Sequence, residues 1–416
     1  MRATSTQYER PYRPGSVAVF NRVGPVASLE PAELVARAVQ RSGAHYLGDE
    51  PVRERLSLLV DSLESEARLH RFGRVMVRQN LIRILVNRLR MEQLFDLHRE
   101  ILDTTRDDPV VIVGLQRTGT TLLHRLLALN PAFRVLESWE AINPAPFSRL
   151  AGPWQRWMGE GADPRIVAAA VAQRAVRWLA PDFFAIHPID ARSPEEECLL
   201  FDYAFLGTVP EATYRVPSFS RWLEAQAPDE AYRFLGKVLA LLAWQRGGRR
   251  WLLKTPQHLE HLGALLATFP RARILHTHRD PARTLPSFCS MIAHAWGVFS
   301  DDVRPGEVVA HWGTKVQRMV ARALEVRHGA HERQFFDVYY RDLVDRPLDV
   351  VRRIHAWLDL PLADDVATRM GRFLAEHPQH RHGRHVYDAA SFGLEPEGIR
   401  VRFAEYLRRF PVEVEG

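Results

Sequence analysis

The stretch that decides the fold is Val110-Val111-Ile112-Val113-Gly114-Leu115-Gln116-Arg117-Thr118-Gly119-Thr120-Thr121, continued by Leu122-Leu123-His124-Arg125-Leu126-Leu127. Four consecutive β-branched apolar residues have the form of a strand buried on both faces. A tight polar turn follows, and then an apolar helix. Such a turn aims several backbone N–H groups at one point, where the helix dipole adds positive potential. Gly119 lets the backbone approach an anion closely. Thr118, Thr120 and Thr121 add hydroxyls, and Arg117 adds a fork of charged donors. Gly114, Gly119 and Thr121 fit the spacing G-x-x-x-x-G-K-[ST] of an ATP-type phosphate loop. Thr120 stands where that loop needs lysine, and the cation has moved into the turn as Arg117.

Working outward, Asp107-Asp108-Pro109 breaks the chain ahead of the strand. Upstream, residues 28–107 show apolar positions at helical spacing and are expected to form a helical prefix packed on the catalytic domain. Residues 1–27 are expected to be an irregular arm. Downstream, Trp251-Leu252-Leu253, Arg273-Ile274-Leu275-His276 and Phe335 to Tyr339 are strand candidates. Helical stretches at Arg165–Leu179, Ala231–Gln245, His258–Phe269, Ala282–Ala295 and Glu307–Arg327 separate or follow them. Strands alternating with helices predict an α/β domain over residues 108–416, a P-loop-like parallel sheet flanked by helices.

Bulk properties narrow the function. The 416 residues carry a formal net charge of +6. That modest excess does not imply nucleic acid, but it favours encounter with anionic ligands. Cys198 and Cys289 make neither a disulfide framework nor a zinc site. The polar Met1–Gly15 segment does not read as a secretory signal, and no run reaches a membrane span, so a cytoplasmic location without stable membrane insertion is expected. Oligomeric state is not readable.

A second anion site is expected at Arg273-Ile274-Leu275-His276-Thr277-His278-Arg279-Asp280-Pro281, a strand ending in a charged corner. Arg279, and Ser287 eight residues on, could both reach one dianionic group. Two anion sites at the ends of neighbouring parallel strands suit a nucleotide phosphorylated at its 5′ and 3′ positions, bound beyond the strand C-termini.

On these residues the chain resembles the sulfotransferases that use 3′-phosphoadenosine 5′-phosphosulfate (PAPS), specifically bacterial members related to the tyrosylprotein branch. Leu115 to Thr121 resembles their 5′-phosphosulfate loop, and Arg279 to Ser287 their 3′-phosphate motif. Trp251 to Leu259 is similar to the strand and turn between those motifs. Trp139-Glu140, His187-Pro188, Pro194-Glu195-Glu196 and Gly383 to Tyr387 are further points of similarity. Gln116 departs from the proline that many members carry. The resemblance implies transfer of a sulfuryl group from PAPS to a hydroxyl or amine of a small-molecule or peptide acceptor, by in-line displacement, with no metal required. It implies Gln116, Arg117, Thr118, Gly119, Thr120, Thr121, Arg279 and Ser287 as donor ligands, with Arg384 in a basic loop that either closes over the nucleotide or is a solvated turn.

A base must take the acceptor's proton. The resemblance points to Glu140, with Glu137 as a near neighbour; His187 is the other candidate, its imidazole better matched to neutral pH. Lys254, at the end of a buried strand, needs an anionic partner: the sulfuryl group, Glu195 or Glu196. His258 and His261 are expected to be structural rather than metal ligands, and Tyr340 a core residue. Trp139, Phe147, Trp154, Trp157, Phe183, Phe184, Trp244 and Trp296 offer aromatic material for an acceptor pocket. Two other readings are a P-loop-type small-molecule kinase, disfavoured by the missing loop lysine, and a non-catalytic nucleotide-binding module.

Overall fold

The computed structural model of the chain describes residues 10–43, 50–103, 107–147, 163–181, 190–247, 250–329, 331–377 and 389–415. Its centre is a five-stranded, all-parallel sheet in the order β2-β3-β1-β4-β5. The strands are β1 (Val110–Gly114), β2 (Phe133–Val135), β3 (Arg250–Lys254), β4 (Arg273–His278) and β5 (Phe335–Tyr339). All four expected strands are present, and a fifth, the short β2, forms one edge.

Side-chain alternation divides the sheet into two packed faces. Val111 and Val113 of β1, Trp251 and Leu253 of β3 and Ile274 of β4 enter one apolar cluster. Val110, Ile112, Leu252 and Leu275 enter the other. The second face is covered by a helix over Thr120–Leu127 and by the helices Pro347–Trp357 and Asp364–Glu376. The first face carries the larger core, and the prefix helices belong to it.

The prefix helices are α1 (Gly15–Val23), α2 (Pro31–Ser42), α3 (Glu50–Ser65) and α4 (Arg71–Leu97). Leu34, Leu56, Leu81 and Leu85 from these helices share one core with Trp251 and Ile274 of the sheet. The prefix therefore extends this core, with α4 packed against the helices Asp229–Arg246 and Pro281–Phe299. Helix α1 departs from the expected irregular arm. Its nine residues are too short to be stable alone. Packing supports it: Val17 is buried, and Phe20 meets Phe72 of α4 edge-on at 5.8 Å.

The remaining elements that build the site are α5 (Thr120–Leu127), α6 (Ser138–Ile142), α7 (Asp229–Arg246), α8 (Pro281–Phe299) and α9 (Pro305–Arg327). The stretch expected as one helix over His258–Phe269 is split. A 3₁₀ turn covers Pro256–Glu260 and a helix covers Leu262–Thr268, because His258 turns inward to bond Glu197 and Tyr232. No helix among the described residues is long and apolar enough to cross a membrane.

Candidate active site

The loop from β1 to α5 is built as its glycines require. Gly114 has φ 151° and Gly119, the residue before α5, has φ 91°. A Cβ on Gly114 would lie 2.1 Å from Thr277 Oγ1, and one on Gly119 would lie 3.0 Å from Leu343 and 3.2 Å from Tyr340. Arg117 also takes a left-handed φ of 71°, an uncommon conformation for a residue with a side chain. It leaves Arg117 exposed at the turn while Gln116 and Gly119 are half-buried.

Thr118 does not face the cleft. It is fully buried, and its hydroxyl donates to the Leu115 carbonyl at 2.6 Å and shares a 2.6 Å bond with Thr277 Oγ1. The expected donor ligand is thus a brace between the loop and β4. Thr120 and Thr121, on the first turn of α5, do line the cleft.

The second corner lies at the end of β4, next to β1. Asp280 caps α8 through the Ala282 N–H at 2.9 Å and pairs with Arg400 at 2.9 Å. Arg279 projects beside the loop: its Nη1 donates to the Arg117 carbonyl at 2.9 Å. Its guanidinium lies 3.7 Å from the centre of the Tyr340 ring. Its other donors grip Glu415, with Nε to Oε1 at 2.6 Å and Nη2 to Oε2 at 2.7 Å. A carboxylate from the chain's last described residues therefore occupies the fork where a dianion was expected. Ser287 is buried on α8 and is not part of the cleft wall.

Between these corners lies an open cleft enclosing about 1370 Å³. Gln116, Arg117, Gly119, Thr120, Thr121 and Arg279 line it. Sequence reasoning placed these six together. Tyr340, read as core, and Met291, which was not singled out, also line it, as does His377 at the start of the basic stretch that includes Arg384. The alternating pattern of β5 could have flagged Tyr340, since the residue directly after a parallel strand sits at the sheet's C-terminal edge.

Lys254 ends β3 with 3% of its surface exposed and pairs with Glu196, which lines the cleft. The neighbouring Glu197 is fully buried and organises this corner. Its Oε2 accepts the Lys254 backbone N–H at 2.9 Å, and its Oε1 lies 2.6 Å from His258 Nε2. Tyr232 meets the other ring nitrogen of His258 at 2.8 Å. Close to Lys254, burial and that lysine's charge push His124 well below its ordinary pKa.

Glu140 requires a correction. It sits in α6, 1% exposed, with Oε1 bonded to Arg134 at 2.9 Å. Its Oε2 accepts the Glu137 N–H at 3.2 Å in a reciprocal capping box. Neither it nor Glu137, which accepts from Trp139 Nε1 at 2.6 Å, lines the cleft. The Trp139-Glu140 pair is a helix-capping and ion-pairing unit. His187 and Arg384 lie outside the described residues.

His276, His278 and Asp337 bring ligand atoms within 4.8 Å of one another. Arg327 already supplies the cation there, donating to Asp337 at 2.5 Å and meeting His276 Nδ1 at 3.1 Å.

The comparisons fit this geometry. The sequence profile described as the sulfotransferase family matches residues 109–364, from the start of β1 past the helix at Pro347. The chain belongs to the sulfotransferase family. The crystal structure of a sulfotransferase from Mycobacterium avium is 30% identical and superposes with a TM-score of 0.81, covering 92% of this chain and 97% of that one. One from Mycobacterium tuberculosis H37Rv is also 30% identical, with a TM-score of 0.77 and coverage of 91% and 99%. Coverage this wide takes in the prefix as well as the sheet. The omega-hydroxy-beta-dihydromenaquinone-9 sulfotransferase of Mycobacterium bovis is 24% identical over 302 residues, 68% of this chain and 71% of that protein. The sulfotransferase assignment makes sulfuryl transfer the reaction and PAPS its donor. It also sets aside the kinase reading, as the loop's missing lysine had suggested.

Proposed function

We propose that the cleft binds PAPS between the β1–α5 loop and Arg279, and transfers its sulfuryl group to a hydroxyl of a small-molecule acceptor. The observation that carries this reading is the convergence of the loop and Arg279 on one cleft at the C-terminal edge of β1 and β4. The backbone N–H groups at Gly119, Thr120 and Thr121 hold the 5′-phosphate at the start of α5. Arg279 holds the 3′-phosphate once Glu415 has left, with Tyr340 beneath its guanidinium. A hydroxyl acceptor is supported by the omega-hydroxy-beta-dihydromenaquinone-9 named for the Mycobacterium bovis relative.

In the transfer step the sulfur bonds to the acceptor oxygen while its bond to the bridging 5′-phosphate oxygen breaks. The acceptor's proton goes to a base, and adenosine 3′,5′-bisphosphate leaves. Charge grows on the bridging oxygen, so preorganised cations aimed there lower the barrier. Arg117 and Lys254 are the cations, and with them the step needs no metal. Glu196 is the carboxylate that lines the cleft among the described residues and takes the proton; His187 is the second candidate. Glu197, His258 and Tyr232 hold the Lys254 corner in place.

The test is transfer of ³⁵S from labelled PAPS to a panel of hydroxylated acceptors, with γ-labelled ATP in parallel. Sulfated product with chelator present supports the reading. Phosphorylated product, or sulfation abolished by chelator, overturns it.

A further inference from the structure

A second, open-mouthed space, about 870 Å³ with the solvent at its mouth, lies between the prefix and the segment that carries Glu196. Leu59 of α3 and Met76, Leu81 and Ile84 of α4 form one wall; Phe205 and Phe299 form the other. Of the aromatic residues singled out in the sequence, Trp154, Trp157, Phe183 and Phe184 lie outside the described residues, and Trp139, Phe147, Trp244 and Trp296 do not line it.

Two connections tie this cavity to the cleft. The segment 196–202 places Glu196 on the cleft wall, then Leu199 and Asp202 on the cavity wall. Helix α8 does the same with Met291 in the cleft and Phe299 in the cavity. Eight residues of helix separate those two positions, roughly 12 Å.

One end of the cavity is polar, and one carboxyl oxygen just behind its wall is unsatisfied. Asp202 is 5% exposed, and its Oδ1 has no hydrogen-bond partner among the described residues. That oxygen packs against Gly207, where a Cβ would come within 2.1 Å. Arg83, which also lines the cavity, spends its donors elsewhere, on the Ile142 carbonyl, Tyr203 and Asn80. A buried carboxyl without a partner calls for an explanation. Burial outweighs the charge of Arg83 and raises the Asp202 pKa to about 8. The group is therefore protonated at neutral pH and can donate a hydrogen bond.

We propose that this cavity holds the body of the acceptor, a long and mainly aliphatic alcohol whose reacting hydroxyl reaches Glu196 and whose second oxygen function bonds Asp202. The proposal rests on the cleft being the transfer site. It assigns the prefix a role in acceptor selection as well as in the core.

The experiment measures calorimetric affinity for 1-hexanol, 1-octanol, 1-decanol and 1,10-decanediol, and separately for adenosine 3′,5′-bisphosphate. Affinity is expected to rise about fourfold per methylene through the series. The diol is expected to bind within a few-fold of 1-decanol, because Asp202 compensates the added hydroxyl. Met76→Trp, at a half-buried wall position, is expected to cut 1-decanol affinity at least tenfold and leave the nucleotide's affinity unchanged. PAPS should convert 1-decanol to its sulfate faster than 1-hexanol at equal low concentration. A flat chain-length series, or an unaffected Met76→Trp, overturns the cavity. Alcohols that bind but are never sulfated overturn its role as an acceptor site. A diol more than tenfold weaker than decanol removes Asp202 from it. Loss of nucleotide binding in the parent protein instead sinks the donor reading and leaves the alcohol series to stand on its own.

Discussion

The carboxylate of Glu415 gives the most informative single perturbation. It forms a bidentate, charge-assisted pair with Arg279, at 2.6 and 2.7 Å, in a place where the side chains keep 20% and 27% exposure. The tail is held there by other bonds too: the Glu415 N–H to Asp280 at 3.3 Å, and Arg400 to the Glu415 carbonyl at 3.4 Å. If Arg279 receives the 3′-phosphate, binding must first break the Glu415 pair. A partly exposed bidentate pair of this kind is worth about 1–2 kcal/mol. Removing the competition should tighten nucleotide binding by about 5–30-fold. Glu415→Gln keeps the tail's length and backbone bonds while removing the charge. Titration calorimetry with adenosine 3′,5′-bisphosphate should show that gain. Adenosine 5′-phosphate, which has no 3′-phosphate, should bind within about twofold of the parent value. In an Arg279→Ala background the Glu415→Gln gain should vanish, which a double-mutant cycle would read as coupling. Unchanged or weaker binding in the single variant would refute the view that Glu415 and the nucleotide share Arg279.

Four further expectations follow, three from the cleft and its surroundings and one from a buried carboxylate elsewhere. Arg279→Ala should mainly weaken donor binding, whereas Arg117→Ala should lower turnover at saturating donor by about 10²-fold, since the charge it meets grows only as the bond breaks; steady-state kinetics decide. Glu140→Gln should destabilise the fold by about 3 kcal/mol, read by denaturant midpoint, through its buried pair with Arg134, and leave single-turnover transfer intact. Glu196→Gln should instead slow transfer at least ~10²-fold, and if His187→Asn alone is inactive the base is His187. Glu211 is buried, which raises its pKa, but Lys315 and His311 outweigh this and hold it at about 2. A depressed carboxylate contributes stability above its unfolded value that is lost as pH falls through the folded one. Acidification from about pH 4.5 to 2 should therefore cost on the order of 3 kcal/mol, checked by urea melts across that window.

The fold was legible wherever burial was two-sided or periodic. The run Val110 to Val113 announced the central strand, and the loop after it announced an anion site, because glycine and threonine positions there answer to local backbone geometry. Side-chain roles set by distant partners were not legible. Nothing near Thr118 in sequence says that its hydroxyl would bond Thr277, which arrives from β4. Glu140 looked like a cleft carboxylate because its neighbours resemble those of a family motif. Its burial depends on Arg134 and on the capping box with Glu137. Lys254 was the intermediate case: its place at the end of a buried strand demanded an anion, but only the tertiary structure chose Glu196. The Glu415 contact and the prefix cavity were out of reach for the same reason. Each joins segments more than one hundred residues apart.

The central claim is that one cleft grips both phosphates of the donor nucleotide, the 5′ end at the β1–α5 loop and the 3′ end at Arg279. Its most direct test is the affinity of the parent protein and of Arg279→Ala for adenosine 3′,5′-bisphosphate and adenosine 5′-phosphate at one salt concentration. The account predicts that the bisphosphate binds the parent at least tenfold tighter, and that the advantage collapses in Arg279→Ala while adenosine 5′-phosphate is little affected. Equal affinity of the parent for the two nucleotides, or an advantage that survives Arg279→Ala, would contradict it.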